Sequence, residues 1–178
     1  MNWLRAAWSA GALALAPSLF GAEIVELVPV VREESIFVSF RVEGAFDETI
    51  AHDIETGLEV NFRYNIQLKQ VRRMWPDRTT SQREIRTTVT YDNLTQRYSL
   101  TRMVDGEIDQ TEVVADVAEM RRFMTTFESI RLFGVSEVTP NEEYYLRANG
   151  VMKEGNLLLL IPWNQGAGWR TAYFTYLP

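Results

Sequence analysis

Between Leu58 and Val104, apolar and polar residues alternate in successive runs. Val60, Phe62, Tyr64, Ile66 and Leu68 occupy every second position, and Asn61, Arg63, Asn65, Gln67 and Lys69 fill the gaps. Alternate side chains of a strand point to opposite faces, so this run puts its apolar groups on one side and its polar groups on the other. A helix would scatter the same residues around its circumference. A polar loop with Pro76, Asp77 and Ser81 follows, then a second alternation through Ile85, Thr87, Val89 and Tyr91. Asp92 to Thr95 reads as a turn, because Asp and Asn side chains bond their own backbone. Tyr98, Leu100 and Val104 carry a third strand. Asp105-Gly106 is a two-residue hairpin signal, which adds a short fourth strand over Glu107 to Thr111. The stretch is expected to be an antiparallel meander and the central sheet of the fold.

Other segments read in the same way. Ile24 to Val31 is a β-branched run broken by Pro29, which marks an edge strand or a bulge. Ile36, Val38, Phe40 and Val42 alternate in a second strand, hairpinned to the first and ended by Gly44. Asp47 caps a short helix with an apolar stripe of Ile50, Ile54 and Leu58, ending near Gly57. Val113, Val117, Met120, Met124 and Phe127 step by three and four, a helical spacing. Asp116 with Glu119, and Thr125 with Glu128, have capping-pair spacing. They predict one helix of about 15 residues, or two with a kink near Thr125, stopping at Gly134. Strands are expected at Tyr144 to Ala148, Leu157 to Ile161 and Trp169 to Tyr176, with turns at Asn149-Gly150 and around Glu154 to Asn156. The predicted order is ββ-α-ββββ-α-βββ. The fold class is α+β and β-rich, with antiparallel sheets packed as a sandwich and two helical segments.

Length and composition fit that picture. The chain has 178 residues, 46% hydrophobic and 24% charged, which suits one globular domain. A chain of this size buries roughly 70% of its unfolded surface and needs no disulfide or metal to fold. With no Cys, thiolate catalysis and thiolate metal sites are excluded. The formal net charge of -6 argues against nucleic acid as a partner, since phosphate binding wants a basic face.

The first 22 residues change the picture most. Arg5 precedes an apolar stretch from Ala6 to about Phe20, and Gly21-Ala22 stands before Glu23. This is the pattern of a secretory signal peptide, too short for a membrane span of about 20 residues. Residues 1–22 are therefore expected to be a signal peptide and 23–178 a single β-rich domain. Removing Arg5 from the 18 basic residues leaves 17 against 24 acids, a charge of -7. Periplasmic or otherwise exported localisation follows.

Candidate chemistry is sparse. Glu48 and His52 share a helix face, but a metal site needs three or four ligands and this is the one His of the chain. A solvated polar face is the simpler reading. There is no G-x-S-x-G elbow, Gly-rich phosphate loop, dinucleotide fingerprint or calcium loop. No cofactor or metal and no enzymatic activity are expected. Asn93-Leu94-Thr95 has the form of a glycosylation sequon but lies where a turn is needed anyway. A small membrane β-barrel would match the strand count, yet two internal helices argue against it.

The basic cluster Lys69, Arg72, Arg73, Arg78, Arg83 and Arg86 brackets the Pro76 loop. One reading is a partner-binding end, with Arg72, Arg73 and Arg78 meeting an anionic surface and Trp75 inserting into it. The other is a solvated hairpin end whose arginines pair with local acids, the commoner fate of a charge run. The aromatics Trp163, Trp169, Tyr173, Phe174 and Tyr176 either line an apolar site or close a sandwich core.

Several of these stretches resemble a known family. They are Phe40-Arg41-Val42-Glu43-Gly44, Thr56-Gly57-Leu58, Phe62-Arg63-Tyr64, the run from Val89 to Tyr98, and Phe127-Glu128-Ser129-Ile130. Together they are similar to the bacterial exported proteins grouped as domain of unknown function 4390, from about Ile24 to the C-terminus. The resemblance implies an exported, envelope-located protein and supplies no activity, cofactor or catalytic residue. The leading expectation is a non-catalytic protein-interaction module with an unknown envelope protein as partner. The alternative is a binder of an apolar or amphiphilic small molecule or lipid, held near Met120, Met124 and the C-terminal aromatics. Membrane contact is expected only through an uncleaved N-terminus.

Overall fold

The computed structural model describes residues 22–152 and 168–177. The chain opens with strands β1 (Glu23–Arg32) and β2 (Ser35–Glu43) and helix α1 (Glu48–Glu55). Four strands follow: β3 (Val60–Gln70), β4 (Arg78–Asp92), β5 (Arg97–Val104) and β6 (Glu107–Val114). Helix α2 (Val117–Thr125) leads into β7 (Thr126–Gly134), a single 3-10 turn at Val135–Glu137, then β8 (Glu143–Met152) and β9 (Arg170–Thr175). Among the described residues the strands form two antiparallel sheets, ordered β1-β2-β7 and β6-β5-β4-β3-β8-β9. This is the expected β-rich α+β architecture with sandwich-like packing and two helices.

The alternation along β3 positions the core. Val60, Phe62, Tyr64, Ile66 and Leu68 are all buried, as are Ile36, Val38 and Phe40 of β2. Phe40 stacks on Phe127 of β7 at 4.3 Å between centroids and meets Tyr64 of β3 edge-on at 5.6 Å, so the ring cluster spans both sheets. Ile50 and Ile54 of α1 and Met120, Phe123 and Met124 of α2 are buried against it. Asp47 accepts from the Ile50 N–H at 2.8 Å, and Asp116 accepts from the N–H groups of Ala118 and Glu119, so both helices start where capping predicts.

The meander is four strands long. Asp105 and Gly106 both have positive φ, as a two-residue type I′ connection requires, and β6 continues past Thr111 to Val114. Asp92 Oδ1 accepts from the N–H groups of Leu94 and Thr95 at 2.8 and 3.2 Å, closing the expected turn. Pro29 sits in an edge strand, and the bulge of that strand lies between Val25 and Val28.

Two expectations are overturned. The helical spacing from Val113 to Phe127 covers three elements: Val113 ends in β6, only Val117–Thr125 is helical, and Phe127 belongs to β7. The β2–β7 pairing has two register shifts, and Ser129 has φ 51. The irregularities reset the alternation, so buried Phe127, Ile130, Leu132 and Phe133 step by three, two and one, and a strand imitates a helix. Thr125 bonds back to the Arg121 carbonyl rather than capping a second helix. Asn149-Gly150 is likewise not a turn but the middle of β8, opposite Asn65 and Tyr64. A Cβ on Gly150 would lie 3.0 Å from Tyr64 Cδ1, so glycine here makes room for a ring, not a reversal. The element order agrees with ββ-α-ββββ-α-βββ only because β7 takes a place assigned to Leu157–Ile161, which lies outside the described residues. Residues 1–21 and Trp163 also lie outside them. No helix among the described residues is long and apolar enough to cross a membrane.

Candidate functional site

The strand order brings three connections to one end of the larger sheet. The loop between β3 and β4 carries residues 71–77, the segment before β8 carries 138–142, and the chain leaves β9 beside them. β3 and β8 are neighbours, and the Val71 N–H continues their ladder by donating to the Glu143 carbonyl at 3.0 Å. The Asn141 N–H donates to the Tyr176 carbonyl at 2.9 Å, which ties the 138–142 segment to the end of β9. Between the 71–77 loop and the 138–142 segment lies a groove of about 490 Å³. Arg72, Arg73, Met74 and Trp75 form one wall, and Asn141, Glu142 and Glu143 form the other.

The loop is fastened from below by one carboxylate. Asp77 Oδ1 accepts from the Arg72 N–H at 3.1 Å, and Asp77 Oδ2 accepts from the Tyr145 hydroxyl at 3.0 Å. Burial first, and then the bond to Asp77, pushes the Tyr145 hydroxyl above its ordinary pKa, so it remains a donor through the physiological range. The Tyr145 ring lies 5.2 Å from that of Tyr173 on β9. Above this base, Met74 is 90% exposed and Trp75 is 75% exposed, and Leu177 is 71% exposed just beyond Tyr176. Single exposed apolar residues are ordinary, but here they stand on connections that hydrogen bonds hold side by side.

The basic cluster divides into two halves. Arg83 bonds both Glu137 oxygens at 3.1 and 3.3 Å and the Leu132 carbonyl at 3.0 Å, pairs with Asp105, and lies over the Phe133 ring. It clasps β4 to β7 and is part of the framework. Arg86 pairs with Glu84. Lys69, Arg72, Arg73 and Arg78 make no side-chain hydrogen bond or ion pair among the described residues. Of the candidates, Arg72, Arg73 and Trp75 line the groove together. Arg78 stands at the foot of β4 opposite Gln70, outside the lining.

The other sequence candidates are placed elsewhere. His52 is exposed on α1, which precedes the start of β3, whereas the groove lies at its far end. Among the described residues no three His, Cys, Asp or Glu gather as metal ligands would. Met120 and Met124 are buried where α2 packs on β4, β5, β2 and β7, while Tyr173 and Phe174 sit on β9, which packs on β8 and β1. Met120 and Met124 therefore do not share a site with Tyr173 and Phe174, and Trp163 lies outside the described residues. The acidic wall, the Asp77 fastening and Leu177 went unseen in the sequence. Pro140-Asn141 has loop chemistry, but only the β3–β8–β9 adjacency shows which loop it faces.

A family model described as Domain of unknown function (DUF4390) matches residues 21–157. No curated protein and no solved structure matches the chain.

Proposed function

The chain belongs to the family described as Domain of unknown function (DUF4390), and from that premise we propose that it is an exported, non-catalytic module of the cell envelope that works by holding another protein. The observation that carries this reading is the pair Met74 and Trp75, exposed on a loop that Asp77 fastens at both ends. Ordering a long side chain at an interface costs roughly 0.5–1.5 kcal/mol, and a loop already held in place leaves less of the backbone to be ordered on binding. Trp, Met and Arg are the residue types enriched where proteins touch, and the buried aromatic anchor usually supplies most of the affinity.

Export is supported by the sequence of residues 1–22, with Arg5, the apolar run to Phe20 and the small pair Gly21-Ala22. The non-catalytic reading is supported by composition: one His, no Cys, and no motif that pairs a nucleophile with a base.

Affinity capture of the tagged protein from its own envelope tests the reading. The wild-type chain is expected to retain one or more proteins that a Met74→Ser/Trp75→Ser variant releases. Capture of the same proteins by both chains would remove the Pro76 loop from the contact. Recovery of the tagged chain only inside the cytoplasm would remove export.

A further inference from the structure

We infer that the groove at the Pro76 end is an interface between two copies of this chain, related by a two-fold axis, with the basic wall of each copy set against the acidic wall of the other. The inference rests on the reading of this end as a protein contact and names the partner.

The charge pattern favours this occupant. Arg72 and Arg73 line one wall of the groove, and Glu142 and Glu143 line the other. An anionic surface, whether lipid or protein, would be attracted by the first wall and repelled by the second. A cationic surface would meet the reverse problem. A partner must offer both signs at the separation of the two walls. In a two-fold contact residue i of one copy meets residue j of the other, and j meets i, so a surface carrying both halves of an ionic match is complementary to itself. This end of the chain is such a surface.

Shape points the same way. The groove is concave, and Met74 and Trp75 project from its basic wall, 90% and 75% exposed. Each copy can offer the other both a hollow and an apolar projection. Long-range charge selects this end as well. With a formal charge of -6, two copies repel over most approaches. Lys69, Arg72, Arg73 and Arg78, which make no ion pair among the described residues, gather at this end and locally reverse that repulsion.

The test uses two differently tagged full-length copies made in the same cell and extracted from the envelope in mild detergent. Capture of one tag is expected to recover the other. Arg72→Glu/Arg73→Glu in both copies leaves acid facing acid, and Glu142→Arg/Glu143→Arg in both leaves base facing base; each is expected to abolish co-capture. One copy of each kind restores opposite signs at both contacts, so that mixture is expected to recover it. The restored pairing also shows that both variants are folded. Failure of wild-type copies to co-capture, or co-capture that ignores the charge variants, overturns the inference. If wild-type copies do not co-capture while Met74→Ser/Trp75→Ser releases other envelope proteins, the second-copy inference falls and the contact reading stands. If neither occurs, both fall. Recruitment to vesicles of anionic phospholipid through Trp75, without co-capture, would make a membrane surface the occupant and likewise overturn the inference.

Discussion

The Tyr64 hydroxyl donates a 2.8 Å hydrogen bond to the main-chain carbonyl of Met124. The bond joins the middle of β3 to the last turn of α2, where helix carbonyls have no partner within the helix. Thr87 of β4 reaches the same oxygen at 3.4 Å. A buried helix end is thus satisfied by two side chains from one sheet face.

Replacing Tyr64 by Phe keeps the ring cluster with Phe40 and Phe127 and removes only the donor. The Met124 carbonyl is then left to the longer Thr87 contact. Loss of one partner from a buried acceptor costs about 1–3 kcal/mol, and the remaining contact places Tyr64→Phe at the lower end. Urea unfolding monitored by circular dichroism is expected to show a lower midpoint with an unchanged slope. An unchanged midpoint would mean that Thr87 alone satisfies the carbonyl.

Gly150 is the second support of that ring. Its absent Cβ would sit 3.0 Å from Tyr64 Cδ1 and 3.2 Å from Cε1. Gly150→Ala is expected to destabilise the protein by about 1–3 kcal/mol, as overpacking of a close-packed interior does. In a Tyr64→Ala background the clash is gone, and the same substitution should cost much less. Equal costs in the two backgrounds, measured as a double-mutant cycle, would show that the ring is not what excludes a side chain.

Much of this architecture was legible because it is local. The alternation Val60 to Leu68 names the inner face of β3, and Asp92 and Asp105 with Gly106 close turns with their own side chains or dihedrals. The errors arose where a distant element decides the conformation. Thr126–Gly134 has apolar residues at helical intervals and becomes a strand because β2 offers it a partner across bulges. Asn149-Gly150 has turn chemistry and becomes strand because β3 pairs with it at Asn65 and Tyr64. The candidate site followed the same division. Arg72, Arg73 and Trp75 could be read as one exposed loop. Glu142, Glu143 and Leu177 could not be set beside them without knowing that β8 lies next to β3 and β9 next to β8.

The Asp92 turn predicts a pH response of definite sign. The N–H groups of Leu94 and then Thr95, with a further bond to the Thr95 side chain, hold the Asp92 carboxyl below its ordinary range. A carboxylate with a depressed folded pKa contributes stability above the unfolded value of about 3.9, and that contribution is lost as pH falls through the folded value. Asp92 is exposed, so the readout is local. Carboxyl chemical shifts followed by NMR should place its midpoint below those of exposed acids without such bonds, and the Leu94 and Thr95 amides should lose exchange protection in the same pH window. A midpoint within the ordinary aspartate range would show that the turn is not held by this carboxylate in solution.

Asp77 separates the stability of the fold from the readiness of the candidate site. Its two oxygens hold the Arg72 N–H and the Tyr145 hydroxyl, and both bonds serve the loop rather than the buried ring cluster. Asp77→Ala should therefore leave the unfolding free energy from urea titration within about 1 kcal/mol of wild type, the range of a partly exposed hydrogen bond. The loop itself should loosen, because Val71 remains tied to Glu143 while Arg72 onward loses its anchor. Trypsin reports that loosening directly, since Arg72 and Arg73 are its substrates and cleavage needs the backbone to open locally. Faster cleavage after Arg72 or Arg73, together with weaker capture of envelope partners, is the expected pair of results. Tyr145→Phe removes one of the two bonds and should fall between wild type and Asp77→Ala on both measures. If cleavage accelerates while capture is unchanged, the fastened geometry of the loop is not what the partner reads, and exposure of Met74 and Trp75 would suffice for binding.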